Sequence, residues 1–203
     1  MCNLYKMTKT VAEVAKLFGA VADPAGNAGE TVYPGYPGIV VAPESGGLRV
    51  RQMTWGFPLV LKGRNGQPLK PKPVNNCRTD KLDSFMWRYS FQERRCLIPV
   101  TAFCEAEGEK GAKTRTWFSL PDEELFAVAG IWRDTAEWGA AYSMVMTEAC
   151  EHVQGAHDRM PAILPSEDWA DWLDGPPDVA GLLCRPYELG MTVLRTEEPW
   201  VRR

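Results

Sequence analysis

At 203 residues, 45% apolar and 24% charged, the chain has the size and composition of one globular domain, residues 1–203, with a real core, which excludes a disordered tail. No run approaches the roughly 20 apolar residues of a spanning helix, and the N-terminus has neither region of a signal peptide, so a cytoplasmic protein away from the membrane is expected. The net charge of −3 hides an uneven distribution: from Arg49 to Arg95 eleven Lys and Arg face three acids, a local +8 that leaves −11 on the rest.

Thr10 followed by Glu13 has capping-box spacing, Val11, Val14, Leu17 and Phe18 share one helical face, and Gly19 supplies a stop, so a short helix follows the N-terminal pentapeptide. Pro34, Gly35, Pro37 and Gly38 predict turns before a strand at Ile39 to Ala42, and Leu48 to Trp55 alternates like a second strand. Asn65-Gly66 and the prolines 68, 71 and 73 make the next segment an extended loop, with Asn76 at its end. A brief helix is expected from Ser84 through Tyr89. Apolar runs at Cys96 to Val100, Thr116 to Leu120, Leu125 to Trp132 and Ala141 to Met146 read as strands. Ser166 opens a helix near Trp169 to Leu173, Asp178 caps another, and Met191 to Arg195 is a closing strand. The sum is an α+β fold with a curled, largely antiparallel sheet.

Six cysteines without a signal peptide point to free thiols rather than a disulfide framework. Metal binding fails on spacing: there is no C-x-x-C pair, and His152 and His157 lack the i, i+4 geometry of a zinc helix. No metal and no cofactor are expected. Cys2 stands out, because removal of Met1 before a small side chain leaves an N-terminal cysteine with a free α-amine and a thiol. Such an aminothiol condenses with an aldehyde to an imine and closes through sulfur to a thiazolidine. The ring-opened sugar of an abasic site is such an aldehyde, although a cysteine at position 2, taken alone, is more often incidental than catalytic.

Three other places could move protons or hold a substrate. Glu105 follows an apolar stretch and Phe103, surroundings that would raise its pKa toward a general-acid role, or it is simply the first of three solvated acids. His157 titrates near neutrality, whether as a proton shuttle or as a turn cap. Asn76 could hydrogen-bond a sugar oxygen and Arg78 hold a phosphate, or both fix the loop. The basic segment fits a phosphate-binding face, and it fits equally a solvated surface over which the charges scatter.

Four segments in order resemble the SOS-response-associated peptidase family, also described as abasic-site processing proteins. Met1-Cys2-Asn3-Leu4-Tyr5 looks like the family's M-C-x-x-Y start, and Asn76-Cys77-Arg78-Thr79-Asp80 is similar to N-A-R-x-E. Arg95-Cys96-Leu97-Ile98-Pro99 with Phe103 and Glu105 resembles R-C-L-I-P…F-Y-E, and His157-Asp158-Arg159-Met160-Pro161 resembles H-x-R-M-P. Met53 to Phe57 is similar to the family's W-G strand. The resemblance implies curved β-sheets in a barrel-like core with short flanking helices, around a groove for single-stranded DNA.

It also implies roles: Cys2 as the covalent residue after loss of Met1, Asn76 orienting the sugar oxygen, Glu105 in acid/base steps, and His157 assisting ring opening. Arg78 and Arg159 would contact DNA, and Trp55, with Phe57 and Phe103, would either stack on bases or pack in the core. The implied partner is single-stranded DNA containing abasic sites, met by a monomer, with the crosslinked lesion shielded from strand cleavage. Asn3-Leu4 replaces a common Gly-Arg, and Cys104-Glu105-Ala106 replaces Tyr-Glu-Trp. Two rival readings remain: an N-terminal-nucleophile amidohydrolase or glutamine amidotransferase, which also frees Cys2, and a non-catalytic single-stranded-DNA-binding module.

Overall fold

The computed structural model describes residues 2–23 and 29–200. A short strand, β1 (Tyr5–Lys6), leads into α1 (Val11–Phe18). The expected capping box is formed: the Thr10 hydroxyl accepts from the Glu13 N–H at 3.2 Å, and the Glu13 carboxylate accepts from the Thr10 N–H at 2.7 Å. Gly19 ends the helix in the left-handed region at φ +60°, and the buried Phe18 ring stacks on Trp169 at 4.3 Å.

After β2 (Val21–Ala22) and β3 (Thr31–Val32) comes the hairpin β4 (Pro37–Glu44) and β5 (Gly47–Trp55). A second hairpin, β6 (Phe57–Leu59) and β7 (Lys72–Val74), precedes β8 (Asn76–Arg78) and α2 (Arg88–Glu93). The middle of the chain supplies β9 (Arg95–Val100), β10 (Ala102–Glu107), β11 (Thr114–Ser119), β12 (Phe126–Thr135) and β13 (Gly139–Glu148). Then follow α3 (Glu151–Gln154), β14 (Arg159–Pro161), β15 (Ile163–Leu164), α4 (Trp169–Asp174), α5 (Pro177–Leu183) and β16 (Thr192–Pro199).

Five of these strands close on themselves in the order β13, β12, β9, β4, β5, with β5 returning to β13 in parallel through Thr54 opposite Ala141 and Trp55 opposite Tyr142. The other ring pairings are antiparallel, so the closed ring has no free edge among its members. A second sheet runs β16, β11, β10, β1, β3. This is the curled, antiparallel-dominated α+β fold expected from the sequence. Every residue of β9 is buried, as are Phe126 to Ile131 and Ala141 to Thr147. Cover on both faces explains why these strands read as continuous apolar runs rather than alternating ones.

Several boundaries differ from the expectation. The turn at Ser84 exists, its carbonyl accepting from the Trp87 and Arg88 N–H groups, but the helix runs from Arg88 to Glu93 because Phe91 and Ser90 are the residues it buries. Asp178 lies inside the first turn of α5, which begins at Pro177, a residue pre-set for that position. Asn76 belongs to a strand, β8, rather than to a loop end.

Gly38 sits where Tyr5 and Tyr142, from opposite sides of the core, hydrogen-bond through their hydroxyls. A Cβ there would overlap both phenol oxygens, and neither ring has room to retreat, both being fully buried. Gly38→Ala is expected to cost about 2 kcal/mol or more of unfolding free energy, read by urea denaturation. A midpoint equal to that of the wild type would contradict this packing.

Candidate functional site

Strand pairing delivers the first residues of the chain to β10. Tyr5 lies opposite Phe103, and the Cys104 N–H donates to the Leu4 carbonyl at 2.9 Å, which brings the residues before β1 alongside the middle of β10. Cys2 is fully buried with its Sγ 3.4 Å from the Leu4 carbonyl. Burial pushes its thiol far above the ordinary cysteine range, and the nearby Glu105 carboxylate pushes the same way. The resting sulfur is therefore a thiol. The Met1 residue whose loss was expected lies outside the described residues.

From the other side, β8 pairs in parallel with β13, Asn76 opposite Met144. The Asn75 carbonyl accepts from the Met144 N–H at 2.9 Å and from the Trp55 indole N–H at 3.0 Å, which fixes the backbone where the two asparagines sit. Both side-chain amides then donate to one acceptor, the Cys2 carbonyl: Asn76 at 2.7 Å and Asn75 at 2.9 Å. Asn75 also donates to the Asn3 side-chain oxygen at 3.1 Å. Among the described residues, Asn76 Oδ1 is buried and accepts no hydrogen bond. Leaving such an atom unsatisfied costs about 1–3 kcal/mol, a cost that a substrate hydroxyl would remove.

Glu105 is 3% exposed, and burial raises its carboxyl to about 7, with the charge of Asp158 acting in the same direction. Near neutral pH it is close to half protonated. Asp158 also acts on His157, so the two titratable groups share one neighbourhood. The His157 Nδ1 accepts from the Arg159 N–H at 2.9 Å, which puts the proton of the neutral ring on Nε2. The same Nδ1 lies 2.8 Å from the Asp158 carboxylate, a contact that favours the protonated ring. Burial outweighs it, and the His157 pKa is lowered.

The residues expected to meet DNA fall into two groups. Arg78 is exposed beside the asparagines, bidentate to Asp80 with both bonds at 2.8 Å, and Arg159 is half-buried on β14 with its backbone holding His157. Trp55, Phe57 and Phe103 are 0% exposed, so none has a face to offer a base in this structure. Trp55 instead packs edge-on against Tyr5 and supports Asn75 from beneath. The two replacements beside the cysteine have partners of their own. Leu4 packs with Cys104 and Trp117 in a small apolar cluster, and Asn3 is held by Asn75.

The family model for SOS response associated peptidase (SRAP) matches residues 1–197. The chain belongs to the SRAP family. It is 27% identical over 148 residues to the abasic site processing protein YoqW of Bacillus subtilis, covering 69% of this chain and 65% of YoqW. With the abasic site processing protein YMR114C of Saccharomyces cerevisiae the identity is 28% over 130 residues, 62% of this chain and 35% of that one. The matched part thus spans less than two thirds of these relatives. Two solved structures share the SRAP chain's fold. A Bordetella bronchiseptica protein superposes with TM-score 0.80 at 21% identity, covering 96% of this chain and 99% of its own. For a Bacteroides thetaiotaomicron protein the values are 0.79, 20%, 96% and 91%.

Sequence reasoning missed Asn75. Its one signal was adjacency to Asn76, since nothing local shows that both amides turn toward residue 2. Among the described residues of the SRAP chain, no group of three His, Cys, Asp or Glu side chains is placed to hold a metal ion. A cleft of about 630 Å³ between α1, β15 and the start of α4 contains none of Cys2, Asn75, Asn76, Glu105 and His157. Its lining carries Lys9, Ser166 and Tyr187 but no Cys, Asn or His, so it lacks the thiol and amide groups gathered around Cys2.

Proposed function

We propose that this chain processes abasic sites in single-stranded DNA by covalent capture, using Cys2 as an N-terminal aminothiol once Met1 is removed. The observation that carries the reading is the double amide clamp on the Cys2 carbonyl beside a buried carboxyl of raised pKa. The clamp holds the N-terminal residue by its backbone carbonyl and engages neither its amine nor its sulfur. The names of the relatives agree with an abasic-site substrate.

In the proposed sequence, the protonated fraction of His157 donates to the ring oxygen while the C1 hydroxyl gives its proton to water, so the sugar opens to the aldehyde with no net proton gained, and Asn76 Oδ1 accepts a hydrogen bond from a sugar hydroxyl. The Cys2 amine adds to the aldehyde carbon, giving a carbinolamine. Protonated Glu105 donates to the departing hydroxyl, water leaves, and an imine forms. The thiol then adds across the imine: a C–S bond forms, and the thiol proton ends on nitrogen. One water is released and no oxidant is needed. The neutral resting thiol suits this order, because sulfur acts second and carries the proton the ring nitrogen needs.

Two measurements separate this reading from its rivals. The intact mass of active protein is expected to lack Met1, and incubation with an abasic oligonucleotide to give a heat-stable adduct, with no ammonia released from glutamine. Activity from protein that retains Met1 would sink the aminothiol. Glutamine hydrolysis without an adduct would assign the site to an amidohydrolase.

A further inference from the structure

The hairpin that leads into the asparagine clamp carries an unusual charge. From Ser45 to Thr79 the sequence contains no Asp or Glu, while Lys62, Arg64, Lys70 and Lys72 all fall on the arm running from β6 to β7. All four are exposed, and none makes an ion pair among the described residues. Elsewhere many surface cations are matched, Arg49 with Asp23 and Glu44, Arg78 with Asp80, Arg94 with Asp134, Arg115 with Glu198, Arg195 with Glu107, and the exposed ones without an ion pair among the described residues, such as Lys16, Arg88, Lys110 and Arg185, are scattered along the chain rather than gathered on one acid-free hairpin. Four unmatched like charges on one hairpin repel each other and stabilise nothing in the folded chain.

The arm is nevertheless an ordered one. Phe57, Pro58 and Leu59 pair with Val74, Pro73 and Lys72, and the ladder continues through Leu69 N–H to the Leu61 carbonyl at 2.8 Å and Gly63 N–H to the Gln67 carbonyl at 2.8 Å. Asn65-Gly66 turns the tip, with Gly66 in the left-handed region at φ +79°. Its root is anchored by the buried Phe57, whose ring lies 5.1 Å from Trp87. Leu59, Val60, Leu61 and Leu69 are each about two-fifths exposed along it. The returning strand runs from Lys72 through Val74 directly into Asn75 and Asn76.

We propose that this hairpin is a nucleic-acid-binding arm. Its four free cations hold phosphates of the single strand that enters the Cys2 site, and its exposed aliphatic side chains lie against the splayed bases. The occupant follows from charge complementarity, a polyanion against an acid-free arm, and from continuity of the arm with the clamp. The assignment rests on the DNA reading of the site given above. Because the arm lies outside the reacting atoms, it sets affinity and not the covalent step.

The test is the salt dependence of binding to an undamaged labelled single-stranded oligonucleotide, measured by fluorescence anisotropy for wild type and for Lys62→Gln/Arg64→Gln/Lys70→Gln/Lys72→Gln. Each phosphate contact on a single strand contributes about 0.7 to the slope of log K against log salt, so the quadruple variant is expected to lose about 3. Each single variant should lose about 0.7. Thermal melting should be unchanged, and so should the adduct rate at saturating abasic DNA. A wild-type slope in the quadruple variant overturns the arm. So does a loss of binding to an acidic polypeptide or to anionic vesicles with the DNA slope intact. A reduced slope in a protein that forms no adduct would keep the arm and remove the Cys2 chemistry, whereas adduct formation with an unchanged slope would remove the arm alone.

Discussion

Cys2→Ala is expected to abolish stable adduct formation with abasic DNA while keeping single-stranded DNA affinity within about two-fold of wild type. The side chain is packed in the core and makes one side-chain hydrogen bond among the described residues, to the Leu4 carbonyl, so losing a group as small as its sulfur should cost about 1 kcal/mol of stability. The clamp is made to the backbone carbonyl of residue 2 and survives the change. Cys2→Ser is the sharper variant. It retains the amine, so an imine still forms, but its oxygen is a poorer ring-closing nucleophile than sulfur. An adduct from this variant should be hydrolysed on heating unless first reduced with borohydride, whereas the wild-type adduct needs no reductant. Undiminished heat-stable adduct from Cys2→Ala would place the covalent residue elsewhere.

Glu105→Gln should produce the second large effect, slowing adduct formation by roughly 10²-fold or more if the protonated carboxyl delivers the proton that expels water. Its pH dependence is distinctive. The acid form of Glu105 is lost as pH rises through about 7, while the N-terminal amine gains its free base above roughly 7.7. The wild-type rate should therefore pass through a maximum between these values, and Glu105→Gln should lose the alkaline fall. Stability moves the other way. Between the ordinary carboxyl value of 4.5 and about 7, the folded chain keeps a proton that the unfolded chain has released, so rising pH favours unfolding. Above pH 7 the buried carboxylate costs the fold about 3 kcal/mol, a cost the amide removes. Glu105→Gln should accordingly melt higher than wild type at pH 8 and nearly equal to it at pH 4. A variant both active and no more stable at pH 8 would remove Glu105 from the proton transfer and contradict its raised pKa.

What the sequence disclosed is what depends on near neighbours. The α1 helix was legible because its cap, buried stripe and left-handed stop all lie within ten positions, Thr10 to Gly19. The barrel strands β9, β12 and β13 were legible as apolar runs, since burial on both faces removes polar residues from them. The strands that carry the site were harder to see. Glu105 interrupts the apolar run of β10, and β8 is three residues long with a partner, β13, nearly seventy positions away. The closing pair β5 and β13 is likewise non-local. Trp55 illustrates the limit of composition: beside a basic segment it looks available to a base, but the closure of the barrel seals it beneath Asn75. Cys2, Asn76, Glu105 and His157 were each named from chemistry and resemblance. Their meeting depends on β1 pairing with β10 and β8 with β13, which no local pattern encodes.

The clamp also gives the departures beside the cysteine a physical account. Asn3 is a second acceptor for Asn75, and Leu4 with Cys104 exchanges a charge and an aromatic for a shared apolar contact.

Whether Cys2 is the covalent residue is decided by incubating the protein with single-stranded DNA containing one abasic site, then denaturing, digesting and sequencing the modified peptide by mass spectrometry. One adduct is expected, on the N-terminal peptide beginning at Cys2, with Met1 absent and a mass equal to peptide plus abasic nucleotide minus one water. An adduct on a lysine, or on a peptide that still carries Met1, would contradict it.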